Sequence, residues 1–153
     1  MVFNSVNLRT RADPPLSEYH FGNLIGASVT EVAAGDDGVE FLRKVREATK
    51  ALSADYVARR KEREMQLKEV IRAQALANEV EVRLVFSSTC RFPVYEADFG
   101  WGRPVWVGYG GSPYKNVVYF MDRKSGGGID ALIQLSKQDM EKFEAHLMLK
   151  SNL

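Results

Sequence analysis

The spacing of apolar positions changes along this chain. Val80, Val82, Leu84 and Phe86 alternate with Glu79, Glu81 and Arg83, which predicts a strand with one buried face. Residues 2–9 alternate more weakly and predict a first strand, stopped by Asp13-Pro14-Pro15, since proline cannot continue a ladder. Leu24–Val32 predicts a second strand. Ala34-Gly35-Asp36-Asp37-Gly38 is a turn whose Asp36 or Asp37 can cap a helix over about 38–52, where Val39, Leu42, Val45 and Ala48 recur at helical spacing. Ser53 is placed to cap a second helix to about residue 78, with Met65, Leu67, Val70 and Ile71 on its apolar side. Further strands are expected at Pro104–Val107, Asn116–Met121 and Gly128–Leu135, with a loop over Gly108–Pro113. A last helix, Lys137 to about Lys150, opens on a capping box from Ser136 to Asp139. This order predicts an α+β fold, a mixed β-sheet with flanking helices.

Composition narrows the classes. The 153 residues suffice for one domain, and 45% hydrophobic with 27% charged residues is ordinary for a globular protein. A net charge of +1 gives no electrostatic case for nucleic acid or an anionic membrane. No apolar run approaches the roughly 18 residues of a membrane span. Met1-Val-Phe-Asn-Ser-Val lacks the basic-then-apolar order of a secretory signal. The single cysteine, Cys90, excludes an internal disulfide and fits a reducing, cytoplasmic compartment. One cysteine and two distant histidines match no usual zinc spacing, so no metal is expected.

The most distinctive segment is Arg91-Phe-Pro-Val-Tyr-Glu-Ala-Asp98-Phe-Gly-Trp101-Gly-Arg-Pro-Val-Trp106. Within it, Asp98-Phe99-Gly100-Trp101-Gly102 packs two aromatics, two glycines and a carboxylate into five positions, which suits neither a plain helix nor a plain strand. It suggests a fixed turn or bulge, with Gly100 and Gly102 free to take positive φ and Trp101 as an anchor. Asp98 needs a cationic partner if it is buried. Cys90 beside Arg91 invites a nucleophile reading, but no histidine is near in sequence to act as base, and a structural cysteine explains it better. Glu96 and Asp98 would share a face as a carboxylate pair, yet their glycine and aromatic neighbours favour a structural turn. Gly108-Tyr109-Gly110-Gly111 lacks the third glycine and the helix of a dinucleotide loop.

The same run resembles the C-terminal signature of the BAHD family of plant acyl-CoA-dependent acyltransferases. Val6-Asn7-Leu8-Arg9, Asp13-Pro14-Pro15-Leu16, Phe21-Gly22-Asn23, Phe86-Ser87-Ser88-Thr89-Cys90-Arg91-Phe92-Pro93, Lys115-Asn116-Val117-Val118 and Asp139-Met140-Glu141-Lys142-Phe143-Glu144 resemble further family segments, in the family's order. The Ser-Ser-Thr-Cys-Arg wording is similar to the clade that acetylates alkaloids and alcohols. Gly126-Gly127-Gly128-Ile129-Asp130 is similar to a family Asp-Gly-Ile-Glu stretch, with Gly127 where an aspartate is usual. The family's catalytic His-x-x-x-Asp is not matched: His20 has Leu24 four residues on, and His146 has Lys150.

The resemblance implies one half of a chloramphenicol acetyltransferase-like (CAT-like) fold over residues 1–153, with the N-terminal catalytic half absent. The whole enzyme would move an acyl group from acyl-CoA, acetyl-CoA first among donors, to an alcohol or amine of a plant specialised metabolite. Asp98 becomes a structural residue in a buried salt bridge, with Arg9 as candidate partner, and breaking such a pair would cost about 3–5 kcal/mol. Arg91 and Trp106 are candidates for the acceptor channel; an acid partner for Arg91 and a core role for Trp106 are the alternatives. The Arg59–Glu64 charge run is a solvated helix face, or else a contact for CoA phosphates. Residues 103–121 would cross to the missing half and leave an apolar strand edge open, a route to homo-oligomers. Without the general base this chain alone is expected to be inactive. The rival expectations are a truncated paralogue acting as an interaction or dimerisation module, and a shortened reading frame in which Met1 is internal.

Overall fold

The computed structural model describes residues 1–33, 35–60, 84–110 and 115–151. They divide into two compact units, Met1–Val85 and Phe86–Leu153.

In the first unit, β1 (Val2–Asn7) and β2 (Ile25–Thr30) pair antiparallel, Val2 opposite Thr30 and Asn7 opposite Ile25. On the other side of β1 the opening of β3 (Leu84–Ser88) joins through the Leu84 amide, which donates to the Met1 carbonyl at 3.2 Å. Helix α1 (Gly38–Lys50) packs on β2. Its start is set by Asp37, whose carboxylate accepts the Glu40 amide at 2.7 Å. Its end is set by Arg11, which donates to the carbonyls of Thr49 and Leu52 at 2.8 and 3.0 Å. Ser53 accepts the Tyr56 amide and opens α2 (Ala54–Arg59). The expected continuation of this helix to residue 78 and the start of the strand at Val80 lie outside the described residues.

The helical period of α1 holds, but its phase differs from the expectation. Phe41, Val45 and Ala48 are half-buried, whereas Val39 and Leu42 are exposed. The reason is the face of β2 that the helix meets. Gly26, Ser28 and Thr30 are its buried positions, and Ser28 Oγ lies 3.4 Å from Thr49 Oγ1 of the helix. Small residues there let the elements close, and Gly26 admits Leu8 and Leu52 so tightly that an added Cβ would lie 3.2 Å from Leu8 Cδ2. Leu8, Leu52 and Val57 form the core, with Val6, Ala12 and Tyr56 against it.

In the second unit, β4 (Val117–Asp122) lies between the end of β3 and β5 (Ile129–Gln134), pairing antiparallel with β5. Val117, Val118 and Met121 are its buried residues. The β4–β5 turn places Gly126 and Gly127 at φ 73° and 71°. Glycine adopts this left-handed conformation without steric cost. Ser136 accepts the Asp139 amide at 3.2 Å and donates to its carboxylate at 2.6 Å, opening α3 (Lys137–Ser151). The class is α+β, with strands of a mixed sheet and flanking helices.

One expected strand is absent. Residues 104–107 are irregular, so the strand expected at Pro104–Val107 does not form. Pro104 cannot donate to a ladder, and the carbonyl of the next residue, Val105, accepts from Lys124 Nζ rather than from a partner strand.

Candidate functional site

The signature run lies in the second unit. It leaves β3 through Thr89, whose amide donates to the Phe120 carbonyl at 2.9 Å. Arg91 then takes φ 68°, a left-handed conformation that a residue with a Cβ adopts only under constraint. Its amide donates to Asp122 Oδ2 at 2.5 Å. The Arg91 guanidinium is exposed and makes no hydrogen bond or ion pair among the described residues.

The five-residue signature is folded around one oxygen. Asp98 Oδ1 accepts the amides of Gly100 at 2.8 Å and Gly102 at 3.0 Å. Both glycines have φ 103°, outside the range favoured by side chains. The amides of Gly100, then Gly102, hold the Asp98 carboxyl below the usual carboxylate range. This corrects the expectation that Asp98 is buried. Asp98 is exposed and satisfied by local backbone. Arg9, in the first unit, donates to the His20 carbonyl at 2.8 Å and the Gly22 carbonyl at 2.6 Å, pinning the loop after Pro15.

Most aromatics of the run are exposed, Tyr95 alone being half-buried. Phe99 and Trp101 are 73% and 83% exposed, with ring centroids 5.8 Å apart. Val105 and Trp106 are 87% and 72% exposed, so Trp106 is not the core residue of the alternative reading. Its indole lies over Gly108, where an added Cβ would stand 2.0 Å from Cη2. Behind the run, Tyr109 stacks on Tyr119 with centroids 4.0 Å apart and donates to Thr89 Oγ1 at 2.9 Å. Phe86 stacks on Phe120. Cys90 is half-buried.

The structure therefore gathers Arg91, Asp98–Gly102 and Trp106 in one irregular run and leaves Arg9 to a separate task. It presents a free cation and a row of aromatic faces, which suits holding an organic ligand or polypeptide rather than proton transfer. Two contributors had no sequence signal. Asp122 and Lys124 touch the run from more than 15 residues away. Lys124 donates to the Val105 carbonyl at 3.3 Å and lies 5.9 Å from the Tyr95 ring centroid.

The profile of the Transferase family matches residues 1–149, and the chain belongs to that family, the BAHD acyltransferases. It is 34% identical to epi-neemfruitin B synthase of Melia azedarach, over 92% of this chain and 33% of that protein. It is 31% identical to salutaridinol 7-O-acetyltransferase of Papaver somniferum, over 96% of this chain and 36% of that protein. Among solved structures, vinorine synthase superposes with a TM-score of 0.71 at 28% identity, covering 92% of this chain and 32% of the other. The chain thus spans about a third of the length of these relatives.

Proposed function

We propose that this chain is the C-terminal CAT-like portion of an enzyme that transfers an acyl group, acetyl first among candidates, from acyl-CoA to an alcohol or amine of a plant specialised metabolite. The observation that carries this reading is the braced run Arg91–Trp106, in a chain similar to acetyltransferases over a third of their length. In the assembled enzyme a base outside this chain removes the acceptor proton. The acceptor oxygen or nitrogen attacks the thioester carbonyl, the tetrahedral oxyanion is held by hydrogen-bond donors, and the C–S bond breaks to release CoA. This chain contributes one wall. Arg91 is the acceptor-side cation, suited to a carboxylate or polarised oxygen. Trp106 supplies an aromatic face. Asp98, Phe99, Gly100, Trp101 and Gly102 keep the wall in shape.

A second reading is favoured by the exposure of Phe99, Trp101, Val105 and Trp106. A row of apolar side chains this open fits a surface covered by another polypeptide, either the rest of the family's length or a second copy. On that reading the chain is a non-catalytic interaction module.

Calorimetric titration of the purified chain with acetyl-CoA, with its mass in solution measured alongside, tests both. One-to-one binding by a monomer supports the channel-wall reading. No binding, with a dimer or larger species, supports the interaction module.

A further inference from the structure

Arg91 and Trp106 stand near opposite ends of an irregular run, and neither lies in a strand or helix. Both ends are nevertheless fastened to one place, the end of β4 and the turn after it. At the front, the left-handed Arg91 persists because its surroundings impose it. The imposing group is Asp122, the half-buried last residue of β4, which grips the Arg91 amide at 2.5 Å. A carboxylate makes a stronger acceptor for an amide than a neutral oxygen does, so this bond is well suited to offset the strain. At the back, the Lys124 ammonium holds the carbonyl of Val105, the residue before Trp106, and faces the Tyr95 ring in the first third of the run.

We infer that Asp122 and Lys124 are positioning residues: through the backbone, the first fixes the direction of Arg91 and the second the placement of Trp106. Neither needs to touch a ligand. Their value for acyl transfer rests on the reading of Arg91 and Trp106 given above, while the tethering itself does not. The two charges sit two residues apart on one hairpin, so a single rigid element aims both candidate residues.

Trp101 and Trp106 are the two tryptophans of the chain, so in a Trp101→Phe background fluorescence reports Trp106 alone. Lys124→Ala is expected to lower Trp106 anisotropy and raise its quenching by acrylamide. The open population should rise roughly two- to tenfold, as for one lost hydrogen bond. Lys124→Arg should restore both signals. Asp122→Ala should lower Tm, and that loss should shrink in an Arg91→Gly background, because glycine takes φ 68° without help. Asp122→Asn should lie between. Equal Tm losses in both backgrounds, with Trp106 signals unmoved by Lys124→Ala, overturn the inference. Should the alanine variants fail to fold, hydrogen exchange of the Arg91 amide in the unmodified chain decides: protection supports the tether, and exchange at the free rate overturns it. A free Arg91 amide sinks this inference even if acetyl-CoA binds. Absence of acetyl-CoA binding sinks the reading above even if the amide is protected.

Discussion

One carboxylate oxygen of Asp98 holds two amides, and that small fact sets what acid should do to the signature loop. The amides of Gly100 and Gly102 depress the carboxyl's pKa. A depressed acid stabilises the folded loop above its ordinary titration range, and the contribution disappears as pH falls through the depressed value. With Trp106→Phe leaving Trp101 as sole reporter, emission should stay constant from neutrality down to the ordinary aspartate range. It should change only below that range. Asp98→Ala should abolish this transition and leave Trp101 in its acid-state environment at pH 7. Because Asp98 is exposed, global Tm should move little, unlike the large loss expected for a buried ion pair. Gly100 and Gly102 are the stricter positions. At φ 103° an alanine costs of order 1–3 kcal/mol, so Gly100→Ala and Gly102→Ala should each reduce stability by more than Asp98→Ala, measured by urea denaturation.

Elements in this protein were readable in the sequence wherever a period and a cap agreed. Asp37, Ser53 and Ser136 each cap the helix they precede, because short acceptors satisfy first-turn amides regardless of tertiary context. The phase of α1 was not readable, since Val39-Leu42-Val45 and Phe41-Val45-Ala48 are both helical stripes and only the small face of β2 chooses between them. The supposed strand at 104–107 failed for a related reason. Its local pattern resembles a strand, but long-range contacts from Lys124 and the packing of Trp106 on Gly108 decide otherwise. The glycine signature of the candidate site was legible, while its brace from the β4–β5 hairpin was not. Two predictions belong at this scale. Leu8 is 2% exposed at the centre of the first core, and Leu8→Ala should cost about 2–5 kcal/mol in chemical denaturation. Gly108→Ala should force the Trp106 ring off its seat, seen as a change in Trp106 emission with little loss of far-UV circular dichroism.

For the molecule as a whole, exposed apolar surface is the property with the largest consequence. Phe99, Trp101, Val105 and Trp106 all stand in water within eight residues of each other. Full burial of a large apolar side chain is worth roughly 1.5–3 kcal/mol, so a surface holding several of them favours any contact that covers it. The isolated chain should therefore self-associate as concentration rises, followed by light scattering coupled to size exclusion. The double variant Phe99→Ser/Trp101→Ser removes a pair of neighbouring rings while leaving Asp98, Gly100 and Gly102 to brace the loop. It should move the association midpoint to concentrations at least about a hundredfold higher, the minimum expected from two full burials of this size lost. The unmodified chain remaining monomeric at every concentration, or the variant associating equally well, would mean that these side chains do not drive contact. The low net charge of +1 sharpens the test, because little electrostatic repulsion opposes association and added salt should change the midpoint only slightly.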